Sequence, residues 1–286
     1  MLYMPYSFTA AGYAGHQEVD ATLRRSDLGL PARGFVMCSF NRLEKLDEPT
    51  FGLWLQLLIR IPGSVLWIYE PDGDAEDATA EELRTRSHLL ASAAAAGISA
   101  SQGSDGSLSA ARILFAGRRP KAEHLGRLRQ ADLFLDGAQY SAHTIAADVL
   151  WAGLPLITCP QAAFASRVSA SMSIAAGAAL LPIPSAATEL RETGEKAARV
   201  ARVAGKQMLS MVPASWKEYA DTGSLMGGAV TAGRRLHNGG VSAAQVSEGA
   251  FSGRVRAMQE SHPLFDTGVL VDALEARLIG LARARQ

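Results

Sequence analysis

The chain has 286 residues, of which 48% are hydrophobic, so it is long enough to bury a substantial core. Its 28 lysines and arginines balance its 28 aspartates and glutamates. No net positive field would attract a polyanion, and we expect no nucleic-acid partner. The two cysteines, Cys38 and Cys159, lie in separate apolar runs, and we interpret both as reduced core residues.

The sequence also indicates where the protein works. No stretch reaches the roughly 18 to 20 consecutive apolar residues that a membrane span needs, and the first eight residues have no basic region. An Asn-x-Ser/Thr sequon is absent as well. We therefore expect a cytoplasmic or nuclear protein with no membrane partner.

From about residue 34 the chain alternates short apolar runs with segments of helical period, which is the pattern of βαβ units. Strands are predicted at 34–40, 64–69, 112–116, 132–136 and 155–159, and helices at 49–61, 77–96, 121–130, 143–152 and 164–176. This order predicts a doubly wound α/β domain with a mostly parallel sheet, whose ligands bind at the carboxyl ends of the strands.

The pattern changes in the last third of the chain. Residues 190–252 are rich in Ala, Gly, Ser and Arg, and we interpret them as a mobile, partly disordered insertion. Helical spacing of leucines and valines returns at 269–282, so residues 253–286 are predicted to pack on the domain as a helical segment.

Several common motifs are missing from the sequence. No GxGxxG follows the first strand and no GxxxxGK[ST] occurs, which disfavours a dinucleotide-dependent oxidoreductase and a P-loop NTPase. The six histidines and two cysteines do not have metal-ligand spacing. We expect neither a cofactor nor a metal.

Polar residues instead follow three of the predicted strands. The loop after the first strand carries Arg42 and Lys45, and the segment after the third begins a helix that carries Lys121 and His124. After the fourth strand, a helix opens at His143 or Thr144, and its free N–H groups and dipole form a ready site for phosphate oxygens. Ordinary structural roles explain each segment taken alone, since Thr144 can be a helix cap and the cations can be solvated.

Together these segments resemble the protein O-linked N-acetylglucosamine transferases. The runs that carry the resemblance are YMPYSF (3–8), SDLGLP (26–31), FNRLEKLDEPT (40–50), PGSVLWIYE (62–70), RILFAGRRPKAEH (112–124), ADLFLD (131–136), HTIAADVLWAGLPLITCP (143–160), ASRVSAS (165–171) and SHPLFDT (261–267). The resemblance implies a Rossmann-like domain, the C-terminal half of a GT-B glycosyltransferase, whose nucleotide-sugar lies in a cleft between two such domains. It divides the chain into a first-domain remnant and linker at 1–30, a nucleotide-sugar-binding domain at 31–189, and the two segments described above.

The resemblance also assigns roles to particular residues. Lys45 matches the catalytic lysine that contacts the diphosphate and supports the leaving UDP. Arg42 stands where the family has a glutamine, and we expect it to bind UDP-GlcNAc by reaching a phosphate. His143 and Thr144 match residues that hold the phosphates at the helix start, and Asp148 matches the aspartate that binds the ribose.

Three further matches concern the nucleoside. The backbone at Arg119 lies where the family reads the uracil edge, and Lys121 and His124 match residues that contact the ribose and stack on the uridine. The chain departs from the family pattern at Ile145 and Ala142, where the family has a threonine and a glycine.

The activity that the resemblance implies is inverting, metal-independent transfer of N-acetylglucosamine from UDP-GlcNAc to Ser or Thr hydroxyls of intracellular proteins. The family's tetratricopeptide repeats and most of its first catalytic domain have no counterpart here, so we expect a fragment that is inactive in isolation. One alternative is a non-catalytic nucleotide-sugar-binding or interaction module. Another is a GDP-fucose-dependent protein O-fucosyltransferase of the SPINDLY type.

Overall fold

A computed structural model describes residues 7, 12–13, 18–70, 80–100, 111–176 and 210–211. These residues contain six parallel strands in the order β3-β2-β1-β4-β5-β6. The strands are β1 (Val36–Ser39), β2 (Val65–Tyr69), β3 (Ile113–Ala116), β4 (Leu133–Leu135), β5 (Leu156–Ile157) and β6 (Ser210–Met211). The helices are α1 (Glu48–Arg60), α2 (Ala80–Ala95), α3 (Lys121–Leu128), α4 (Thr144–Ala152) and α5 (Val168–Ala175), with 3-10 turns at Ser26–Leu28, Leu43–Lys45 and Phe164–Ser166.

The predicted doubly wound α/β fold is confirmed, with five strands and five helices in the predicted order. The predicted helix at 164–176 divides into a 3-10 turn and α5. The short strand β6 was not predicted, because it lies inside the segment interpreted as an insertion. The rest of that segment, the C-terminal helical segment and most of the first 17 residues lie outside the described residues.

Both faces of the sheet are covered, as a parallel sheet requires. Alternate side chains of β1 enter opposite cores, with Val36 and Cys38 on one face and Met37 on the other. Helices α3, α4 and α5 cover the first face, whereas α1 and α2 cover the second. Within the described helices, none is both long and apolar enough to cross a membrane.

The strand order places a crevice next to β1. The chain runs outward from β1 to β2 and β3, then returns to the opposite side of β1 as β4, which pairs through Met37 with Leu133 and Cys38 with Phe134. In open α/β sheets, ligands bind at this topological switch point, outside the carboxyl ends of the two strands. The loops that follow β1 and β4 therefore define where a ligand site is expected.

Candidate functional site

The loop after β1 places Lys45 at the switch point. A 3-10 turn, Leu43–Lys45, leads into α1, which begins at an Asp47 cap whose carboxylate accepts from the Thr50 N–H at 2.7 Å. The Lys45 ammonium lies 4.1 Å from the centre of the Tyr140 ring, and burial lowers the pKa of the half-buried lysine. A small pocket lined partly by Asn41, Lys45 and Gly137 opens beside it.

The loop after β4 is closed by the buried carboxylate of Asp136. One carboxylate oxygen accepts from the N–H of Gly137 at 2.9 Å and from the N–H of Ala142 at 2.7 Å, so it ties the start of the loop to its end. Asn41 Nδ2, from the β1 loop, donates to the same oxygen at 3.4 Å. Burial raises the pKa of Asp136. This carboxylate therefore fixes the loop and is not exposed to a ligand.

Gly137 lies where the two loops approach each other closely. A Cβ atom at this position would lie 3.0 Å from the Tyr140 carbonyl oxygen and 3.3 Å from the Lys45 carbonyl oxygen. Both distances are tighter than ordinary van der Waals contact, so a side chain would push the β1 and β4 loops apart. The close approach places Lys45 beside the loop that leads from β4 to α4.

The first turn of α4 presents N–H groups next to two stacked rings. His143 is the N-cap residue, its ring stacks on Tyr140 with 4.8 Å between centroids, and its Nε2 lies 3.3 Å from the Ala165 carbonyl oxygen. Thr144 is exposed, and in the described part of the chain the N–H groups of Thr144 and Ile145 have no backbone acceptor. Free N–H groups and the helix dipole both favour a negatively charged ligand here.

The side chain of Ile145 points away from these free N–H groups. Its side chain is half-buried and packs against the core cluster under α3, α4 and α5. Position 145, where the resemblance implies a threonine, therefore packs partly against the hydrophobic core in this chain.

A second cluster surrounds Asp148, one turn further along α4. Its Oδ1 accepts from the Lys121 ammonium and from the Tyr13 phenol, and its Oδ2 lies 3.4 Å from His124 Nε2. Burial by itself would raise the pKa of Asp148, but the interactions with His124, Lys121 and Tyr13 lower it below its usual range. Asp148 is therefore a buried carboxylate that stays charged.

His124 is held in one tautomer by its neighbours. Arg127 Nε donates to His124 Nδ1 at 3.1 Å, which leaves the proton of the neutral imidazole on Nε2, facing Asp148. Burial lowers the pKa of His124, so the neutral form is favoured. The Phe40 ring packs edge-on against the imidazole, with 5.7 Å between centroids.

Two residues in these clusters were not predicted from the sequence. Tyr13, only 7% exposed, stacks on Trp151 and donates to Asp148, and burial raises the pKa of its phenol. Tyr140 joins Lys45 to His143. An aromatic residue inside a polar strand-end loop is a signal that could have identified Tyr140, whereas no local pattern marks Tyr13.

The structure separates the predicted site residues into three sets. Lys45, His143 and Thr144 lie around the start of α4, and Lys121, His124 and Asp148 form the second cluster. Since Thr144 and Asp148 are four residues apart, α4 joins the two sets along one face.

Arg42 and Arg119 form the third set, and both side chains are exposed and paired with glutamates. Arg42 lies 3.6 Å from Glu82 and 3.7 Å from Glu44, and Arg119 pairs with Glu123 at 3.1 Å. Among the residues described, no three His, Cys, Asp or Glu side chains are grouped so as to hold a metal ion.

The residues described form a doubly wound α/β domain, and the helix that starts at its switch point has free N–H groups in its first turn. The chain belongs to glycosyl transferase family 41, whose model matches residues 7–197. The resemblance found in the sequence is thereby confirmed.

Two relatives and one solved structure show how far the similarity extends. The chain is 36% identical over 154 residues to the probable UDP-N-acetylglucosamine–peptide N-acetylglucosaminyltransferase SEC of Arabidopsis thaliana, a match covering 54% of this chain and 14% of the relative. It is 31% identical over 153 residues to the corresponding transferase of Caenorhabditis elegans, covering 54% of this chain and 12% of the relative.

The solved structure is an O-GlcNAc transferase mutant of Thermobaculum terrenum, at 22% identity and a TM-score of 0.55, covering 90% of this chain and 38% of that one. This likeness confirms the predicted Rossmann-like fold of a GT-B domain. The matches thus cover well under half of the length of each of these proteins.

Proposed function

We propose that this chain is the nucleotide-sugar-binding part of an inverting glycosyltransferase that moves N-acetylglucosamine from UDP-GlcNAc to Ser or Thr hydroxyls of intracellular proteins. The observation that carries the proposal is the contact of Lys45 with Tyr140, whose ring stacks on the His143 N-cap of α4, at the switch point of a family 41 domain. The names of the two relatives support this choice of donor and acceptor.

The proposed chemistry follows from the charge that develops on the leaving group. When the bond from the sugar to the diphosphate breaks, negative charge grows on UDP, and donors already in place stabilise it without reorganisation. Lys45 supplies a cation, and Thr144 with the first N–H groups of α4 supplies hydrogen bonds. In this proposal these groups act without a metal ion, and His143 orients the phosphates from the N-cap position.

The second cluster is proposed to bind the nucleoside. The Asp148 carboxylate can accept from ribose hydroxyls, Lys121 and His124 contact the ribose and uridine, and the backbone at Arg119 meets the uracil edge. In the structure, Asp148 already accepts from Tyr13 and Lys121. A ribose hydroxyl must therefore share the Asp148 carboxylate with the Tyr13 phenol or displace that phenol from it. Displacement exchanges one neutral donor for another.

The test is isothermal titration calorimetry of the 286-residue chain with UDP, GDP and uridine, with and without EDTA. We expect UDP to bind more tightly than GDP and more tightly than uridine, with no effect of EDTA. Equal affinity for UDP and GDP would contradict the uridine assignment, and tighter binding of GDP would favour the GDP-fucose alternative. Loss of UDP binding in EDTA would contradict the metal-free diphosphate site.

A further inference from the structure

Tyr140 is an exposed aromatic residue that contacts two proposed phosphate-binding residues. Its side chain is 41% exposed, so hydrophobic burial does not explain its position. The Lys45 ammonium lies 4.1 Å from its ring centre, and the His143 ring stacks on it at 4.8 Å with 28° between the planes. Tyr140 therefore connects the β1 loop with the N-cap of α4.

The Lys45 ammonium contacts an aromatic ring and not a carboxylate. In the described ranges, no carboxylate lies within ion-pair distance of Lys45 Nζ, and the nearby Asp136 is buried and accepts from backbone N–H groups. A carboxylate partner would neutralise the lysine and occupy its N–H donors. An aromatic face attracts the cation electrostatically and leaves both the charge and the donors available to an anion.

The backbone at Tyr140 belongs to a closely packed loop. A Cβ atom at Gly137 would lie only 3.0 Å from the Tyr140 carbonyl oxygen, and the loop is closed by the Asp136 carboxylate. His143 is in turn held near the Ala165 carbonyl oxygen. The ring is therefore a support set by the β4 loop, against which Lys45 is held.

We propose that Tyr140 is a positioning residue that holds the Lys45 ammonium, fully available for hydrogen bonding, toward a diphosphate at the start of α4. This inference rests on the proposed function and adds a residue to its phosphate site. The ring does not touch the reacting atoms in this assignment, and it acts through Lys45.

The test compares Tyr140→Phe with Tyr140→Leu, because phenylalanine keeps the aromatic face and leucine removes it. Calorimetry with UDP should give wild-type affinity for Tyr140→Phe and a roughly threefold to tenfold loss for Tyr140→Leu, with uridine affinity unchanged. Added to Lys45→Ala, Tyr140→Leu should cause little further loss, because the two residues act as one unit. An equal loss in both Tyr140 variants, an equal loss for uridine, or full additivity with Lys45→Ala would overturn the inference.

A measurement without ligand checks the geometry directly. The chain has five lysines, so the ε-methylene signal of Lys45 can be assigned in a ¹³C-lysine NMR spectrum by its absence from Lys45→Arg. We expect a ring-current shift in the wild type and in Tyr140→Phe that disappears in Tyr140→Leu, and its absence from the wild type would refute the contact. A wild-type chain that does not bind UDP would contradict the proposed function, whereas UDP binding that Tyr140→Leu leaves intact contradicts this inference alone.

Discussion

At the residue scale, the two clusters stabilise charge in different ways. The Asp148 carboxylate is buried and keeps its charge because two donors contact one oxygen and His124 faces the other. Lys45 is half-buried and lies against an aromatic ring, without a carboxylate partner at ion-pair distance among the residues described. The first arrangement suits neutral hydroxyl ligands, and the second suits an anion.

The Lys45→Ala variant tests the role of that cation. A hydrogen bond to a charged group contributes about 1.5–3 kcal/mol, so we expect UDP affinity to fall roughly tenfold to hundredfold. Uridine affinity should be unchanged, because uridine has no phosphate for Lys45 to contact. Calorimetry with both ligands is the measurement, and an equal loss for the two would mean that Lys45 supports the structure and does not contact phosphate.

The pH dependence of stability tests the environment of His124. Its pKa in the folded protein is lowered by burial, whereas an unfolded chain has the ordinary value of about 6.5. Below about pH 6.5 the unfolded state takes up the proton first, so the free energy of unfolding should fall on acidification, by at most about 1.4 kcal/mol per pH unit. Above that pH this contribution is fully present.

Urea unfolding at pH 7.5 and 5.5, compared between the wild type and His124→Gln, isolates this effect. Asp136, whose pKa is raised by burial, gives a slope of opposite sign, but that slope is the same in both proteins. The wild type should lose more stability than His124→Gln between the two pH values. The same loss in both would show that His124 titrates normally in the folded protein.

At the element scale, α4 carries residues of both clusters, and its first turn holds one exposed residue and one that packs against the core. Thr144 is exposed at the helix start, whereas Ile145 packs against the core. An Ile145→Thr exchange therefore places a hydroxyl against apolar side chains and gives the phosphate site no new donor. We expect the free energy of unfolding to fall by about 1–2 kcal/mol, with no gain in UDP affinity.

The matched variant is Thr144→Ala, which should weaken UDP binding and leave the melting temperature nearly unchanged. Thermal unfolding and calorimetry on both variants make the comparison. Tighter UDP binding by Ile145→Thr at an unchanged melting temperature would show that position 145 faces the ligand.

Two helical glycines test how α3 is packed. Alanine is favoured over glycine inside a helix by up to about 1 kcal/mol. A Cβ at Gly126 in α3 would lie 2.3 Å from the Asp20 carbonyl oxygen, whereas a Cβ at Gly52 in α1 would meet nothing within 4 Å. We expect Gly52→Ala to stabilise the protein by about 0.5–1 kcal/mol and Gly126→Ala to destabilise it by about 1–3 kcal/mol.

The measurement is the urea concentration at the unfolding midpoint of each variant, which should rise for Gly52→Ala and fall for Gly126→Ala. The segment at Asp20 also donates its N–H to the Ala122 carbonyl oxygen at 3.1 Å, so a displaced segment would lose this bond too. If both alanines stabilised the protein equally, the segment before β1 would not pack on α3 as described.

At the scale of the whole molecule, the described residues form one Rossmann-like domain, whereas transfer requires a donor and an acceptor held together. We expect the 286-residue chain to bind UDP without measurable transfer of N-acetylglucosamine to a Ser- or Thr-containing peptide. A radiolabelled UDP-GlcNAc assay, read for both transfer and hydrolysis, is the measurement. Transfer by this chain alone would contradict the expectation of an inactive fragment and exclude the non-catalytic alternative.

The sequence alone determined the alternation of strands and helices and showed which strands are followed by polar residues. Buried parallel strands are short apolar runs, and amphipathic helices carry their own period, so both are local signals. The carboxyl ends of parallel strands share one edge, which is why the order of elements is enough to assign Lys45, His143 and Asp148 to one region. The two-residue strand β6 could not be predicted, since a run that short carries no period.

Only the tertiary structure decided which side chains meet. Tyr13 and Asp148 are separated by 135 residues along the chain, and no local pattern encodes their hydrogen bond. The contact between Lys45 and Tyr140 likewise depends on how closely Gly137 lets two loops approach. Whether Ile145 faces the core could not be predicted from the sequence, because the small side chain of the next residue, Ala146, suits a buried or an exposed position. The packing of α4 on its neighbours turns Ile145 toward the core. Such contacts depend on the relative placement of distant segments, which periodicity does not specify.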